Sequence, residues 1–288
     1  MAAFKTFIVP YDFSDAATKT LAFASKWADA CGGALIAVHG MQLPIVFSAT
    51  PTYSDDDILQ GLQSQLESRL RNTLSTEGFR GDVVVRREPV QEWINEIAAQ
   101  HESPVVLLSR HGWSGHDKGL GTTARRIVQS VEVPVWLQAS RPSPIKHVMV
   151  AIALDGKGLR LTEVAKKLAD EQKADLRLVT VMDTISDVGY LSEVGWEATD
   201  RDLRHFTELA REELKGITEK LSTASGEKIS SEVLVGGLTA ALKREADDTD
   251  SGLVVCGKHT RSALATLFLG STSESLARSM ECHLLIVP

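Results

Sequence analysis

The chain has no apolar run approaching the roughly 20 residues that a membrane-spanning helix needs, so no membrane partner is expected. It also has no lysine- or arginine-rich tail, and its net charge is −7. Nucleic acid demands a clustered basic surface, and the short pairs Arg86-Arg87 and Arg125-Arg126 read as solvated faces instead. The opening MAAFKTFIVPYDF lacks the basic, apolar, cleavage-site order of a secretory leader. Cysteine is scarce. Cys31, Cys256 and Cys282 are odd in number and form no C-x-x-C, so they read as reduced core residues of a cytoplasmic protein.

Catalytic signatures are missing too. There is no G-x4-G-K-[ST] phosphate loop. GWSGH (112–116) falls short of the G-x-S-x-G elbow, and His111 and His116 stand too far apart for H-x-G-H. His111, His116 and Asp117 could supply three zinc ligands, and ordinary loop residues fit the same pattern, so no metal site is assigned. No catalytic residue is assigned either. The expectation is a protein that binds rather than turns over, with slow ATPase activity as the enzymatic alternative.

What is present is a repeat. The 288 residues suit two ordinary domains, and 43% hydrophobic with 24% charged residues suit packed cores. ASKWADACGGALIAVH (24–39) resembles AKKLADEQKADLRLVT (165–180), with Ala28-Asp29 lying over Ala169-Asp170. TTARRIVQSVEVPVWL (122–137) resembles STSESLARSMECHLLI (271–286). The proline-bearing QASRPSPIK, residues 138–146, reads as a linker, which gives domains over 1–140 and 145–288.

Each half alternates strands with helices. Strands are expected at 4–10, 34–40, 82–88, 104–109 and 134–138, then at 147–153, 175–182, 230–236, 252–257 and 283–287. Helices are expected at 15–30, 55–76 and 90–100, then at 158–171, 197–221 and 238–248, with one more before each last strand. The fourth strands, PVVLLS and GLVVCG, are continuous apolar runs, as in a sheet covered on both faces. The fold class is α/β: two repeated doubly wound domains, each a five-stranded parallel sheet with helices on both faces. With strand 1 beside strand 4, the winding reverses there, and ligands bind beyond the strand ends at such a point.

The sequence resembles the universal stress proteins, as a tandem of two family domains covering both halves. The resemblance rests on IVPYDFSD, on SRHGWSGHDKGLGTT and on GKHT followed after nine residues by GST. It implies a Rossmann-like domain of the adenine nucleotide alpha hydrolase kind. It also implies a binding site for ATP or a related adenine nucleotide with magnesium, built on G-x2-G-x9-G-(S/T) and an Asp ending strand 1. Carried onto this chain, the site residues are Asp12, Val38, Gly112, Gly121, Thr122 and Thr123 in the first half, and Gly257, Gly270, Ser271 and Thr272 in the second. Ser109 and Thr260 stand where the signature has glycine, and eight rather than nine residues separate Gly112 from Gly121. Ala153 lies over Asp12, with Asp155 two residues on. The resemblance further implies protein partners and a homodimer whose two halves form an internal pseudo-twofold pair.

Local readings stay open beside this one. Asp12 or Ser14 can simply cap the first helix, and Ser271 with Glu274 has capping-box spacing. His39 can face the crevice or pack at a strand end. Phe47, Tyr53, Tyr190 and Trp196, in the two long connections, can shape a pocket or cover a sheet edge. The function expected is stress-responsive binding of an adenine nucleotide. The alternative is a degenerate member that binds no ATP and works as an interaction scaffold or takes an apolar ligand.

Overall fold

The computed structural model describes residues 2–41, 56–110, 120–139, 144–154, 158–182, 200–221, 228–258 and 271–288, with the backbone alone at 57, 159, 200 and 271–274. Its chain contacts fall into two units, Phe4–Gln138 and Ala139–Pro288 together with Met1–Ala3.

The first unit runs β1 (Thr6–Pro10), α1 (Asp15–Cys31), β2 (Ala34–Gly40), α2 (Asp56–Thr76), β3 (Asp82–Arg86), α3 (Val90–Ala99), β4 (Pro104–Ser109), α4 (Thr122–Ser130) and β5 (Val135–Gln138). All its strands are parallel, in the order β3-β2-β1-β4-β5. The chain winds outward from β1 to β3, then returns to the other side of β1. The reversal therefore falls between β1 and β4, which pair from Thr6↔Pro104 onward.

The second unit repeats this with β6 (His147–Ala151), α5 (Leu159–Gln172), β7 (Asp175–Met182), α6 (Asp200–Leu221), β8 (Ile229–Val235), α7 (Leu238–Asp248), β9 (Leu253–Gly257), α8 (Ser271–Ser279) and β10 (His283–Val287). Its order is β10-β9-β6-β7-β8, again all parallel.

Local chemistry explains the boundaries. The Ser14 hydroxyl caps α1 by accepting the Ala17 N–H at 3.1 Å. Leu21, Ala24 and Ala28 recur at helical spacing and are buried against the sheet. Gly32 ends α1 in the left-handed conformation, φ 64°, its N–H directed at Ala28 and Asp29. Lys173 ends α5 in the same way at φ 52°, its N–H directed at Ala169 and Asp170. A non-glycine residue there costs about 1 kcal/mol, so the turn is imposed by the strand that follows. That strand is fixed alike in both units: Ala34 donates to Lys5 at 2.8 Å and Asp175 to Lys146 at 2.9 Å.

Some expectations need correction. Gln138, counted above both in the fifth strand and in the linker, belongs to β5 and is buried, and buried Ala139 donates to Nδ1 of buried His283 at 3.1 Å, so the first two residues of QASRPSPIK are packed structure. Cys256 is buried, but Cys31 and Cys282 are only partly covered; all three are free thiols. The Arg86-Arg87 pair is not simply solvated. Arg86 binds Glu96 at 2.6 Å and lies over Trp93, and Arg87 binds Asp56 at 2.7 Å. Strand ends are trimmed by one to two residues at most places, because unpaired ends fall outside the ladder.

Candidate functional site

The first-half site is built where β1 and β4 end side by side. After β1, the Tyr11 N–H still donates to Val38 at 2.8 Å, and then the chain turns sharply. Asp12 sits exposed on that turn. Its Oδ1 accepts both the Ser14 N–H at 3.1 Å and the Ser14 hydroxyl at 2.5 Å. Ser14 is thus the cap of α1 and Asp12 braces the cap from outside. The positive end of α1 favours the carboxylate, and Asp12 Oδ2 keeps its acceptor capacity among the described residues.

Phe13, between them, adopts φ 63°, the left-handed region that aromatic residues rarely enter. Its ring meets Tyr11 at 5.2 Å and His39 at 5.1 Å, both edge-on. His39 Nδ1 lies 2.7 Å from the Tyr11 carbonyl. A carbonyl only accepts, so Nδ1 carries the proton and Nε2 of the neutral ring is an acceptor. His39 is therefore both packed at the strand end and part of the turn. Val38 is fully buried, and its carbonyl already takes the Tyr11 N–H, so it would shape the wall of a site rather than reach into it.

Beyond β4, the Gly121 N–H donates to the Arg110 carbonyl at 3.2 Å, tying together the two ends of the loop that leads to α4. Gly121 is the N-cap of α4, with φ −58° and ψ 154°, and no side chain caps the helix. Thr122 and Thr123 are exposed on its first turn, which carries no acidic residue. An uncapped helix start with free hydroxyls beside it is suited to an anion. Gly112, His111, His116 and Asp117 lie outside the described residues. Among the described residues no cluster of His, Cys, Asp and Glu is arranged to hold a metal.

The second half keeps the frame with different residues at its described strand ends. The Ile152 N–H donates to Val179 at 2.9 Å, as Tyr11 does to Val38. The next residue is Ala153 instead of Asp12, and α5 starts at Leu159 with Gly158 as a cap that offers no side-chain bond. A cavity of about 20 Å³ lies at these strand ends, walled by Ala151, Ile152, Ala153, Val181, Cys256 and Leu276 among others. That is room for about one water. Burial pushes the Cys256 thiol up to about 12. Gly257 ends β9, where an added Cβ would meet nothing within 4 Å, and Ser109 holds the matching place at the end of β4. Ser271 and Thr272 open α8, while Gly270, Thr260, Asp155 and the long connections with Phe47, Tyr53, Tyr190 and Trp196 lie outside the described residues.

Sequence reasoning missed one neighbour of the site. Arg69 of α2 stands over the Phe13 ring, its guanidinium carbon 4.4 Å from the centroid. An open cavity of about 630 Å³ runs along α2 from there, lined among the described residues by Ser64, Gln65, Ser68, Arg69, Asn72, Thr73, Thr76 and Glu77. No sequence signal joins Arg69 to Phe13, since 55 residues of intervening chain separate them.

Among the described residues, no helix is long and apolar enough to cross a membrane. The chain is 29% identical over 141 residues to a universal stress protein of Methanocaldococcus jannaschii, a match covering 48% of this chain and 80% of that one. The crystal structure of a universal stress protein from Archaeoglobus fulgidus superposes with a TM-score of 0.64 at 18% identity, covering 98% of this chain and 97% of the other. A functionally unknown protein of Pseudomonas aeruginosa superposes with a TM-score of 0.61 at 17% identity, covering 99% and 92%. These likenesses confirm the doubly wound α/β fold. The Universal stress protein family matches the sequence twice, over residues 3–137 and 144–288, and the chain belongs to that family as a tandem member.

Proposed function

We propose that the chain is a stress-response protein that binds an adenine nucleotide, as its magnesium complex, in the first-half crevice and acts through binding rather than turnover. The division is one domain over 1–140 and another over 145–288. The observation that carries the reading is the pairing of two features at adjacent strand ends. Asp12 is exposed and held by the cap of α1, and the N-terminus of α4 is uncapped and tied back to β4 through Gly121. In this reading Asp12 Oδ2 accepts from the adenosine end, Val38 walls the base, and Gly121, Thr122 and Thr123 receive phosphate, with Gly112 completing the loop. Binding biases the surface offered to protein partners only if the ligand prefers one state of that surface.

The second half supports the scaffold reading for itself. Ala153 offers no acceptor side chain, and the cavity beside it holds about one water. Gly257, Gly270, Ser271 and Thr272 then serve as the strand end and helix start of a domain that takes no nucleotide.

Calorimetric titration of nucleotide-stripped protein with MgATP tests both statements. One site per chain is expected. D12A should weaken binding on the order of 10- to 100-fold, the loss of a charge-assisted hydrogen bond. Two sites per chain overturns the scaffold reading of the second half, an affinity indifferent to D12A overturns the first-half assignment, and no binding at all leaves the whole chain a scaffold.

A further inference from the structure

We infer that Arg69 is a further ligand-recognising residue of the first-half crevice, one that engages an anionic group of the ligand. The inference rests on the first half being the binding half. Phe13 is fixed from three sides: Tyr11 and His39 meet it edge-on, and the guanidinium of Arg69 covers it. A left-handed aromatic residue is strained, and such strain persists where the surroundings over-determine it, commonly at ligand sites.

The contact with Phe13 uses the face of the guanidinium, which leaves the N–H edge available. Among the described residues that edge makes no hydrogen bond or ion pair. Beyond the helix's own backbone bonds, the Arg69 backbone carbonyl accepts the Thr73 hydroxyl at 3.1 Å. A planar fork of donors is thus held in place before any ligand arrives, which lowers the ordering cost of binding. Its surroundings suit a polar anion. The open groove of about 630 Å³ beside it is lined, among the described residues, by the hydroxyls and amides of Ser64, Gln65, Ser68, Asn72, Thr73 and Thr76, with Glu77 the one carboxylate of the lining.

The second half argues the same point by contrast. Leu70 and Leu214 are the fully buried leucines of α2 and α6. Setting them in register puts Glu213 opposite Arg69, and the strand register puts Leu154 opposite Phe13. Both the platform and the cation are replaced, the latter by the opposite charge. The ligand class is a phosphate-bearing one, with Arg69 separating nucleotide from nucleoside.

The test titrates full-length wild type, R69A, R69K and F13L with MgATP, adenosine and inorganic tripolyphosphate. R69A is expected to weaken ATP and tripolyphosphate on the order of 10- to 100-fold and adenosine less than about twofold, with R69K recovering part of the loss. F13L, which keeps the charge but removes its platform, should fall between wild type and R69A. Arg69 is exposed, so R69A should unfold at the wild-type urea midpoint. Equal losses for ATP and adenosine would mean that Arg69 only steadies Phe13, and tripolyphosphate binding unchanged by R69A would overturn the inference outright. Wild type that binds tripolyphosphate through Arg69 but takes no ATP would remove the nucleotide reading and leave this one standing.

Discussion

The two halves carry one backbone and two chemistries. Tyr11 bonds Val38 and Ile152 bonds Val179 in the same way, and both first helices end in the same left-handed turn. The side chains hung on this frame diverge. The first core is aromatic: Trp27 lies 4.8 Å from Trp136, 5.1 Å from Phe7 and 5.8 Å from Phe4. The matching positions in the second half are Leu168, Leu285, Val148 and Ile145, all aliphatic. At the strand ends, Asp12 and Phe13 of the first repeat correspond to Ala153 and Leu154 of the second. Backbone pairing tolerates either core, because ladder bonds depend on register and not on side-chain type. Site chemistry tolerates no such exchange, since one carboxylate or one cap changes what the crevice can hold.

The largest effect should come from the aromatic core. Trp136 is fully buried, so W136A should cost about 3–5 kcal/mol, read by urea unfolding followed through tryptophan fluorescence. A cost below about 1 kcal/mol would show that the two cores do not differ in how they hold their sheets. A smaller loss, about 1 kcal/mol, is expected for S14A, which removes a side-chain cap of the kind that Gly158 does not give α5. If thermal melts show no loss, the cap is not what separates the helix starts. The smallest effect on stability, and the sharpest on chemistry, concerns the thiols. With the Cys256 thiol pushed up to about 12 by burial, almost none of it is thiolate at pH 8. Iodoacetamide should label Cys31 and Cys282 first and leave native Cys256 unmodified by peptide mass spectrometry. Rapid labelling of Cys256 would mean that the second core opens readily, and that its small cavity understates what it can admit.

The sequence made the frame legible for identifiable reasons. Period and punctuation are local, so α1 could be placed over 15–30 behind a cap at Asp12 or Ser14, and β4 and β9 from their continuous apolar runs. The repeat then gave the second half from the first. Asp12 was legible as a candidate because it follows an apolar strand and precedes a helix. The bracing of Ser14 by Asp12 was not, because two plausible caps two residues apart look alike until the turn geometry is known. Arg69, Phe13 and His39 were less legible still. They come from α2, the turn after β1 and the end of β2, and nothing in their spacing announces that they meet.

By itself, then, the sequence determined the α/β class, the tandem repeat, the strand and helix order and the presence of Ala153 where the repeat has Asp12, all of which follow from local pattern and self-similarity. Only the tertiary structure decided that Ser14 caps while Asp12 braces, that Gly121 ties its loop back to Arg110, and that Arg69 of α2 covers the ring of Phe13 after β1. Those outcomes depend on which side chains the parallel winding brings to the same strand ends, and contacts between residues far apart in the chain leave no periodic trace in it.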